Sequence, residues 1–277
     1  MEEKKDPRKI QEEEIRKKLS SIKHKIMVMS GKGGVGKSSI AAYLAVLLSK
    51  KGYKVGLMDI DLHGPSIPRI LGLKSGIMPA PVPGKAFPAR LSDNLEVISI
   101  EVLMGEDKDI ATIWRGPIKI GVIRQFIADI EWSNPDFLII DSPPGTGDEP
   151  LTIAQIISDS KAIIVTTPQE ISLADVRKSI NFCQKVNMEI LGIIENMSGF
   201  VCPHCGKEID LFKKRGGEEV ARAKGLRFLG RIPLDPKAVE AADNGDISFL
   251  DDDSLPFTRA IKEITDRVEE LCMKKQA

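Results

Sequence analysis

Short runs of consecutive apolar residues alternate with longer helical stretches along most of the chain. Because the runs are continuous rather than alternating with polar residues, each strand is expected to be covered on both faces, as in a parallel sheet with crossover helices. The runs occupy residues 26–29, 55–58, 95–100, 137–140, 162–166 and 190–194. The connecting helices are predicted at residues 41–51, 118–130 and 173–186. The pattern predicts an α/β fold in which helices flank a mostly parallel sheet.

The two ends of the chain have patterns of their own. Residues 1–24 are rich in Glu, Lys and Arg and are predicted to form a charged amino-terminal arm or peripheral helix. Its thin apolar stripe consists of Ile10, Ile15, Leu19 and Ile22. Near the carboxyl end, apolar residues recur at helical spacing beside a mixed charged face, which predicts a terminal helix packed on the core. These residues are Phe257, Ile261, Ile264, Val268 and Leu271.

Two segments interrupt the alternation of strands and helices. Residues 78–90 contain too many prolines for a helix or a central strand, and we expect them to form a surface excursion. Residues 198–217 contain two closely spaced cysteines and several glycines, and we expect a loop that projects from the carboxyl edge of the sheet. With no internal repeat and no clear linker, residues 25–277 are predicted to form one domain with this loop inserted.

Composition narrows the class of protein. The chain has 277 residues, of which 42% are apolar, enough for a substantial core. Forty basic and forty acidic residues cancel, so the charge gives no support for nucleic acid or an anionic membrane as the main partner. The first residues do not resemble a signal peptide, and no apolar run is long enough to cross a bilayer. We therefore expect a cytoplasmic protein, in which four cysteines do not indicate a disulfide framework.

Residues 31–39 have the sequence Gly-Lys-Gly-Gly-Val-Gly-Lys-Ser-Ser and lie between an apolar run and a helical stretch. This sequence motif, between a predicted strand and a predicted helix, is typical of a phosphate-binding loop. Its glycines let backbone N–H groups turn toward phosphate oxygens, Lys37 carries a charge to the β and γ phosphates, and the Ser38 hydroxyl suits Mg2+. The residues predicted to bind the nucleotide are Gly31, Lys32, Gly33, Gly34, Val35, Gly36, Lys37, Ser38 and Ser39. The sequence thus predicts a nucleoside triphosphate site.

Three aspartates follow apolar runs at the sheet edge where open α/β folds bind ligands. Asp59 and Asp61 end the second run, and Asp141 ends the fourth. Carboxylates in these positions are expected to face the phosphates and the Mg2+ shell. Asn196 follows the last run, and its side-chain amide both donates and accepts, as recognition of an adenine edge requires. The chain has no guanine-reading Asn-Lys-x-Asp sequence, so ATP is favoured over GTP.

Cys202 and Cys205 belong to the tight sequence Cys-Pro-His-Cys-Gly, which directs two sulfurs toward one point. Thiolates bind Zn2+ and iron-sulfur clusters, but two sulfurs are only half of a tetrahedral site. Cys183 and Cys272 fall in predicted helices without partner spacing and are expected to be buried thiols. Two chains related by a two-fold axis would supply four sulfurs for a 4Fe-4S cluster or a Zn2+ ion. From the spelling alone, a zinc staple and a dithiol redox pair remain open.

The second lysine of the loop, Lys32, makes the loop resemble the deviant phosphate loop of the family that contains MinD, ParA, the nitrogenase iron protein and the Mrp/ApbC carriers. Further motifs follow in the order of Mrp/ApbC-type iron-sulfur cluster carriers, and the likeness covers about residues 20–272. They are Asp-Ile-Asp-Leu-His-Gly-Pro-Ser at 59–66, Asp-Ser-Pro-Pro-Gly-Thr-Gly-Asp at 141–148, Glu-Asn-Met-Ser-Gly-Phe at 195–200 and Cys-Pro-His-Cys at 202–205. MinD and ParA lack the cysteine pair.

The resemblance implies roles for individual residues. Lys32 contacts nucleotide phosphate across a dimer interface, Asp61 orients the attacking water, and Asp59 and Asp141 support the metal. The segment after Asp141 acts as a switch. Asn196, with the backbone near Pro233, favours adenine. The catalytic residues that it implies are Lys32, Lys37, Asp61 and Asp141.

The same resemblance implies an activity. The chain is expected to form an ATP-hydrolysing homodimer that holds a labile cluster on Cys202 and Cys205 of both subunits and passes it to apoproteins. The expected cluster is 4Fe-4S and bridges the two subunits. Some eukaryotic relatives carry four further cysteines at the amino terminus, which this chain lacks, so no second cluster is expected. The alternatives are a MinD/ParA-like positioning ATPase that binds membrane or DNA, and a zinc-stapled regulatory ATPase. The neutral composition argues against the first.

Overall fold

The computed structural model describes residues 13, 15–62, 64–73, 78–79, 85–101, 116–202, 205–211 and 215–274, with backbone alone at 78–79, 116–117 and 170–172. Its main feature is an eight-stranded sheet. The strands along the chain are β1 His24–Ser30, β2 Val55–Asp59, β3 Met78–Pro79, β4 Ala86–Phe87, β5 Ala89–Ser92, β6 Leu95–Ser99, β7 Phe137–Asp141, β8 Lys161–Thr166, β9 Ile190–Glu195, β10 Phe200–Val201, β11 Glu208–Ile209 and β12 Phe228–Arg231.

The strand order in the main sheet is β12-β9-β8-β1-β7-β2-β6-β5. All neighbouring strands in it run parallel except β5, which pairs antiparallel with β6 at the edge. Each of the six predicted strands is present. The prediction of an α/β fold with a mostly parallel sheet flanked by helices is therefore confirmed, and the apolar runs are continuous because both faces of the sheet are covered.

Helices cover both faces of this sheet. They are α1 Lys37–Lys50, α2 Ile67–Ile70, α3 Gly116–Asp129, α4 Asp148–Ile156, α5 Glu170–Lys185, α6 Gly216–Ala223, α7 Pro236–Asn244 and α8 Pro256–Met273, with a 3-10 helix at Ser248–Asp251. The three predicted connecting helices correspond to α1, α3 and α5. The structure adds α2, α4, α6 and α7, which the hydrophobic pattern did not indicate. Among the residues with described structure, no helix is both long and apolar enough to span a bilayer.

The core lies in layers on the two faces of the sheet. In β1, Ile26 and Val28 belong to the layer under α1 and α8, whereas Met27 and Met29 belong to the layer under α3 and α4. Successive strand residues point to opposite faces, so every residue of β1 is buried. This central strand leads directly into the phosphate-loop motif, and its burial on both sides gives that loop a rigid base.

Both chain ends pack on this core where the structure describes them. Residues 15–19 are helical, and Ile15, Leu19 and Ile22 are buried in the layer with α3. Ile10 of the predicted stripe lies outside the described residues. In α8 the predicted face is buried through Val268, and Leu271 packs partly buried against the same layer. The terminal helix is therefore core-facing, as predicted.

The proline-rich segment is only in part a surface excursion. Residues 78–79 and 86–87 form a small two-stranded sheet, which agrees with the prediction. Residues 89–90, however, belong to β5 and pair with β6 at the edge of the main sheet, which the prediction missed. An edge strand tolerates the nearby Pro88 because one of its sides needs no ladder hydrogen bonds. Residues 80–84 lie outside the described part of the chain.

Candidate functional site

The glycine-rich loop connects the end of β1 to the start of α1. Gly34 and Gly36 have φ angles of 77° and 82°, in the left-handed region that favours glycine. Helix α1 begins immediately after Gly36, so its free N–H groups and positive dipole end are directed at the loop. At the loop entrance, a Cβ on Gly31 would lie 2.5 Å from the backbone of Asp175 in α5. The loop is therefore fixed between two helices.

Lys37 is buried at the first position of α1 and is surrounded by polar groups from three elements. Its Nζ lies 2.5 Å from Asp141 Oδ1, 3.5 Å from Asp61 Oδ2 and 3.2 Å from Ser38 Oγ. Asp141 ends β7, whereas Asp61 lies two residues beyond the end of β2. The sequence-predicted loop lysine and both predicted carboxylates are thus brought together at the carboxyl edge of the sheet, where α/β proteins bind ligands.

Asp59 is fully buried behind this group, and its carboxylate fixes the turn that follows β2. Its Oδ1 accepts a hydrogen bond from the Asp61 backbone N–H at 3.1 Å, and its Oδ2 accepts one from Ser99 Oγ at 3.0 Å. Burial, reinforced by the charge of Asp141, raises the pKa of Asp59 to about 8. Ser99 was not among the predicted site residues, because a single serine at a strand end carries no sequence signal.

The Asp141 carboxylate has a partner at one oxygen and, within the described residues, none at the other. Burial raises the pKa of its side chain, while the ammonium group of Lys37 opposes that increase. Its Oδ1 contacts Lys37, but Oδ2 is buried without a hydrogen-bond partner in the part of the chain that the structure describes. Carboxylate and hydroxyl oxygens are the ligands that Mg2+ prefers, either directly or through water. Asp141 with Ser38 therefore fits a magnesium ion held between this edge and the nucleotide phosphates.

The segment after Asp141 is attached to the end of β1. Ser142 Oγ donates a hydrogen bond to the Val28 carbonyl at 3.0 Å, and the Gly145 N–H donates one to the Ser30 carbonyl at 2.8 Å. These contacts place the segment beside the phosphate loop, at the position expected for a switch. Its response to a γ phosphate stays a prediction.

Asn196 contacts the phosphate loop directly. Its Nδ2 donates a hydrogen bond to the Val35 carbonyl at 2.9 Å, and a Cβ on Gly36 would lie 2.2 Å from that same nitrogen. The amide therefore supports the loop, a role that the sequence pattern did not indicate. Asn196 and Pro233 also line a common groove beside Gly36. Recognition of adenine by this groove stays a prediction.

Lys32, the lysine that distinguishes the deviant loop, is partly exposed. Its backbone carbonyl accepts a hydrogen bond from Ser30 Oγ at 2.9 Å, which fixes the loop backbone at this point. Its ammonium group forms no ion pair with any residue whose position is described. The position is compatible with the predicted contact to a second subunit, which stays a prediction.

The cysteine pair lies on a small hairpin at the carboxyl edge of the sheet. Cys202 is partly exposed and Cys205 is exposed, while β10 and β11 pair through Val201 and Glu208. The backbone closes the turn through hydrogen bonds from Cys202 N–H to the Lys207 carbonyl at 2.9 Å and from Gly206 N–H to the Cys202 carbonyl at 2.8 Å. Within the described ranges, no three His, Cys, Asp or Glu side chains are grouped to hold a metal ion.

The other two cysteines, Cys183 and Cys272, are buried, unlike the accessible pair on this hairpin. Burial raises the pKa of the Cys183 thiol to about 12 and that of the Cys272 thiol to about 11. Thiolate is the form that binds metals, so both side chains are poor ligands. Their placement in α5 and α8 agrees with the expectation that they are ordinary core residues.

Glu195 is a further residue of the site that sequence reasoning missed. It ends β9 with its side chain fully buried, directly before Asn196. Its Oε1 accepts hydrogen bonds from Ser198 Oγ at 2.5 Å and from the Arg215 N–H at 3.1 Å. Its Oε2 accepts one from the Gly217 N–H at 2.6 Å. One carboxylate thus joins both ends of the segment that carries the cysteine hairpin.

A parallel sheet whose central strand leads through a glycine-rich loop into a helix, with the loop lysine against a strand-end aspartate, defines a P-loop NTPase. Comparison with known families agrees. Residues 21–269 match the family described as "ParA: NUBPL iron-transfer P-loop NTPase". The chain belongs to this family of iron-transfer P-loop NTPases.

Two relatives are similar over most of their length. The iron-sulfur cluster carrier protein of Methanocaldococcus jannaschii is 50% identical over 262 residues, which cover 94% of this chain and 90% of the relative. A nucleotide-binding protein from Archaeoglobus fulgidus, solved in complex with ADP and with cobalt, is 39% identical and has a TM-score of 0.74. That match covers 85% of this chain and 92% of the A. fulgidus chain.

A more distant neighbour shares the fold. The septum site-determining protein MinD of Pyrococcus horikoshii, complexed with Mg-ADP, is 23% identical and has a TM-score of 0.64. The match covers 91% of this chain and 98% of that one. The resemblance to MinD and ParA that the deviant loop indicated is confirmed at the level of the fold.

Proposed function

We propose that this protein is an ATP-hydrolysing homodimer that binds an iron-sulfur cluster between its subunits and transfers it to apoproteins. The observation that carries the proposal is the incomplete metal site on the hairpin. Cys202 and Cys205 are accessible, and within the described residues no third metal-binding side chain is grouped with them. Because a cluster needs four thiolates, a second copy of the chain is the simplest source of the other two.

The nucleotide half of the proposal rests on the group around Lys37. Lys37 would hold the β and γ phosphates, and Ser38 with Asp141 would hold the magnesium ion, which neutralises phosphate charge. Asp61, 3.5 Å from Lys37 Nζ, would orient the attacking water. Lys32 would contact the nucleotide of the second subunit.

The base would occupy the groove formed beside Gly36, with Asn196 and Pro233 in its wall. This arrangement favours adenine because the Asn196 amide presents both a donor and an acceptor. The bound ADP of the 39% identical A. fulgidus protein supports a nucleotide at the corresponding loop. ATP with Mg2+ is therefore the proposed substrate.

The carrier half of the proposal is supported by the 50% identical M. jannaschii protein, which is an iron-sulfur cluster carrier. Cys202 and Cys205 from each subunit would hold one cluster, which we propose to be 4Fe-4S, as transferable cargo. The exposure of the hairpin suits transfer, because a recipient protein must reach the cluster. We place the protein in the cytoplasm and expect neither membrane nor nucleic acid as its partner.

The decisive experiment is metal, sulfide and absorbance analysis of protein purified without oxygen. We expect about four iron and four sulfide atoms per dimer for a 4Fe-4S cluster, whereas about two of each would indicate a 2Fe-2S cluster, which four thiolates also hold. The double variant Cys202→Ala and Cys205→Ala should lose the iron, the sulfide and the visible absorbance of the cluster. The matched control is Cys183→Ala and Cys272→Ala, which should keep the cluster because those thiols are buried elsewhere.

The remaining outcomes separate the alternatives. Zinc without sulfide would replace the proposal with a zinc-stapled regulatory ATPase. A cluster-loaded protein that fails to activate an apoprotein dependent on 4Fe-4S would remove the transfer step. ATP-dependent binding to lipid vesicles or DNA, with no metal on the hairpin, would favour a positioning ATPase instead.

A further inference from the structure

We propose that Glu195 is the positioning residue that links the nucleotide loop to the cysteine-bearing segment, defined here as residues 198–215. This inference rests on the proposed function, because it assigns to that segment the cysteines that hold the cargo. Glu195 lies outside the group that contacts phosphate and does not itself reach the nucleotide or the sulfurs. It acts through the groups that it binds, which are the Ser198 hydroxyl, two backbone N–H groups and the Arg231 side chain, whose Nε lies 3.6 Å from Oε1.

The first step is that one carboxylate closes the segment at both of its ends. Ser198 stands at the beginning and Arg215 at the end, and both donate hydrogen bonds to Glu195 Oε1. The N–H of Gly217, in the first turn of α6, donates to Oε2 at 2.6 Å. Residues separated along the chain by the whole hairpin are therefore held at a single buried point.

The second step concerns the strength of this contact. The Glu195 side chain is fully buried, so its hydrogen bonds form in a medium of low dielectric, where bonds to a charged acceptor are strong. Arg215 adopts a left-handed φ of 74°, which turns its N–H toward the carboxylate and starts α6. A Cβ on Gly217 would lie 3.1 Å from Glu195 Oε2, so this glycine permits the close approach.

The third step is the connection to the nucleotide loop through the next residue. Asn196 Nδ2 donates to the Val35 carbonyl, and its nitrogen occupies the space beside Gly36. The backbone of this pair is tied to both neighbouring strands. The Asn196 N–H donates to the Thr166 carbonyl at 2.7 Å, and the Ile232 N–H donates to the Glu195 carbonyl at 2.9 Å.

Glu195 and Asn196 therefore form a rigid pair at the end of β9, with one side chain on the phosphate loop and the other on the cysteine-bearing segment. A shift of Val35 or Gly36 on nucleotide binding displaces Asn196, and the shared backbone carries that displacement to Ser198 and Arg215. The accessibility of the cysteines then depends on the nucleotide. Coupling of this kind needs no direct contact between nucleotide and sulfur.

The test measures thiol reactivity in the full-length protein after cluster and metal have been removed with a chelator. Iodoacetamide labelling of Cys202 and Cys205 is followed by mass spectrometry without nucleotide, with Mg-ADP and with Mg-ATP. In the wild-type protein we expect nucleotide to change the labelling rate by about threefold or more, because typical couplings between sites lie at or above this factor. Mg-ATP affinity is measured on the same preparations.

The variant Glu195→Gln keeps the shape of the side chain but places an amide donor against backbone N–H donors. We expect it to increase labelling without nucleotide about tenfold, because a hydrogen-bonded charge has been lost. The dependence of labelling on nucleotide should fall to about one, while Mg-ATP affinity changes less than about twofold, since Glu195 does not contact the loop. A loop that was merely loosened would label faster and keep its nucleotide dependence.

The matched control is Glu219→Gln. Glu219 lies in the same first turn of α6, but its side chain is exposed and does not bind the ends of the segment. We expect it to keep the wild-type labelling rates. If Glu195→Gln unfolds the protein, Ser198→Ala removes one of the three donors and should give the same changes at smaller size.

Three results would overturn the inference. The first is a labelling rate of the wild-type cysteines that does not change with nucleotide although Mg-ATP binds. The second is nucleotide dependence that persists in Glu195→Gln, and the third is an equal loss in Glu219→Gln. Iron and sulfide analysis of the same proteins keeps the two proposals apart, because labelling requires no cluster and cluster binding requires no nucleotide dependence.

Discussion

Asp59 and Asp141 are register partners at the last positions of the adjacent strands β2 and β7. Both side chains are fully buried, and a single ammonium group, that of Lys37, touches only Asp141 of the two. Two carboxylates this close cannot both be charged at low cost without a cation. A cation at this edge of the sheet would stabilise the pair, and the magnesium ion of the proposed nucleotide complex would be that cation.

The raised pKa of Asp59 predicts how stability depends on pH. The folded chain holds a proton on Asp59 up to pH of about 8, whereas the unfolded chain releases it near 3.8. The folded state thus binds more protons in this window, so the free energy of unfolding contributed by Asp59 falls as pH rises from about 4 to 8. Urea unfolding with EDTA and without nucleotide should show this slope in the wild-type protein.

The variant Asp59→Asn carries no titrating proton and should have a flatter profile over the same range. The control Asp93→Asn changes an exposed aspartate and should keep the wild-type slope. Identical slopes in all three proteins would mean that Asp59 is already ionised in the folded state.

Substitutions of Lys37 and Lys32 should affect nucleotide binding and ATP hydrolysis differently. Lys37→Ala removes the buried charge at the centre of the loop and is expected to weaken Mg-ADP binding about 100-fold, because loss of one partner of a buried charge pair is costly. Lys32→Ala removes a partly exposed charge that the proposal assigns to the nucleotide of the second subunit. It should keep Mg-ADP binding and lose ATP hydrolysis. Titration calorimetry and a phosphate-release assay measure the two properties, and loss of ADP binding in Lys32→Ala would place this lysine in its own site.

Gly36 tests the geometry of the loop. Gly36→Ala meets two obstacles, a φ of 82° and a collision with Asn196 Nδ2 at 2.2 Å. We expect the melting temperature to fall by about 5 °C, from a backbone cost of about 1–2 kcal/mol with the displaced amide added. Gly33→Ala is the matched control, since a Cβ there would meet nothing within 4 Å and should leave the melting temperature unchanged.

The collision and the backbone strain at Gly36 are separable. In the double variant Gly36→Ala and Asn196→Ala the amide is absent, so the two changes should be less costly together than the sum of the single changes. Strict additivity in thermal unfolding would show that Asn196 moves aside freely and does not hold the loop.

Thiol counting provides a check on the cysteine assignment. At pH 8, two thiols per chain, Cys202 and Cys205, should react with a disulfide reagent in the folded apoprotein, and all four should react in guanidinium. The difference follows from burial, which raises the pKa of Cys183 to about 12 and of Cys272 to about 11. Cys183→Ala should leave the folded count at two and reduce the denatured count to three. A folded count of three or four would show that a helix carrying a buried thiol opens readily.

The elements that the sequence predicts well are those with one dominant pattern. Strands buried on both faces, such as β1 and β7, have continuous apolar runs, and the phosphate loop has a fixed spelling. By contrast, β12 has only four residues, and Gly230 interrupts it with a register shift. Its place in the sheet follows from pairing with β9, which no local pattern reveals. The edge strand β5 was hidden for the same reason, by its short length and by Pro88.

The residues of the site likewise divide into those that a sequence motif predicts and those that only the folded structure reveals. Lys37, Asp61 and Asp141 stand in motifs and were predicted, and the structure brings them together. Glu195 was missed because its hydrogen-bond donors include the backbone of Arg215 and Gly217, 20 and 22 residues away. Backbone donors have no residue type, so contacts of this kind leave no trace in the sequence. They depend on how the turn after β9 and the start of α6 are folded against each other.

The strand order also determines when the nucleotide site can form during synthesis. β1 pairs only with β7 and β8 in the sheet, so His24 meets its partner Phe137 after more than 100 further residues have been made. At a translation rate of roughly 5–20 residues per second, that interval lasts roughly 6–20 seconds. Meanwhile β2, β6 and β5 can already pair with one another. The apolar strand that supports the phosphate loop therefore leaves the ribosome before both of its sheet partners, so it is exposed to aggregation in the nascent chain until they follow.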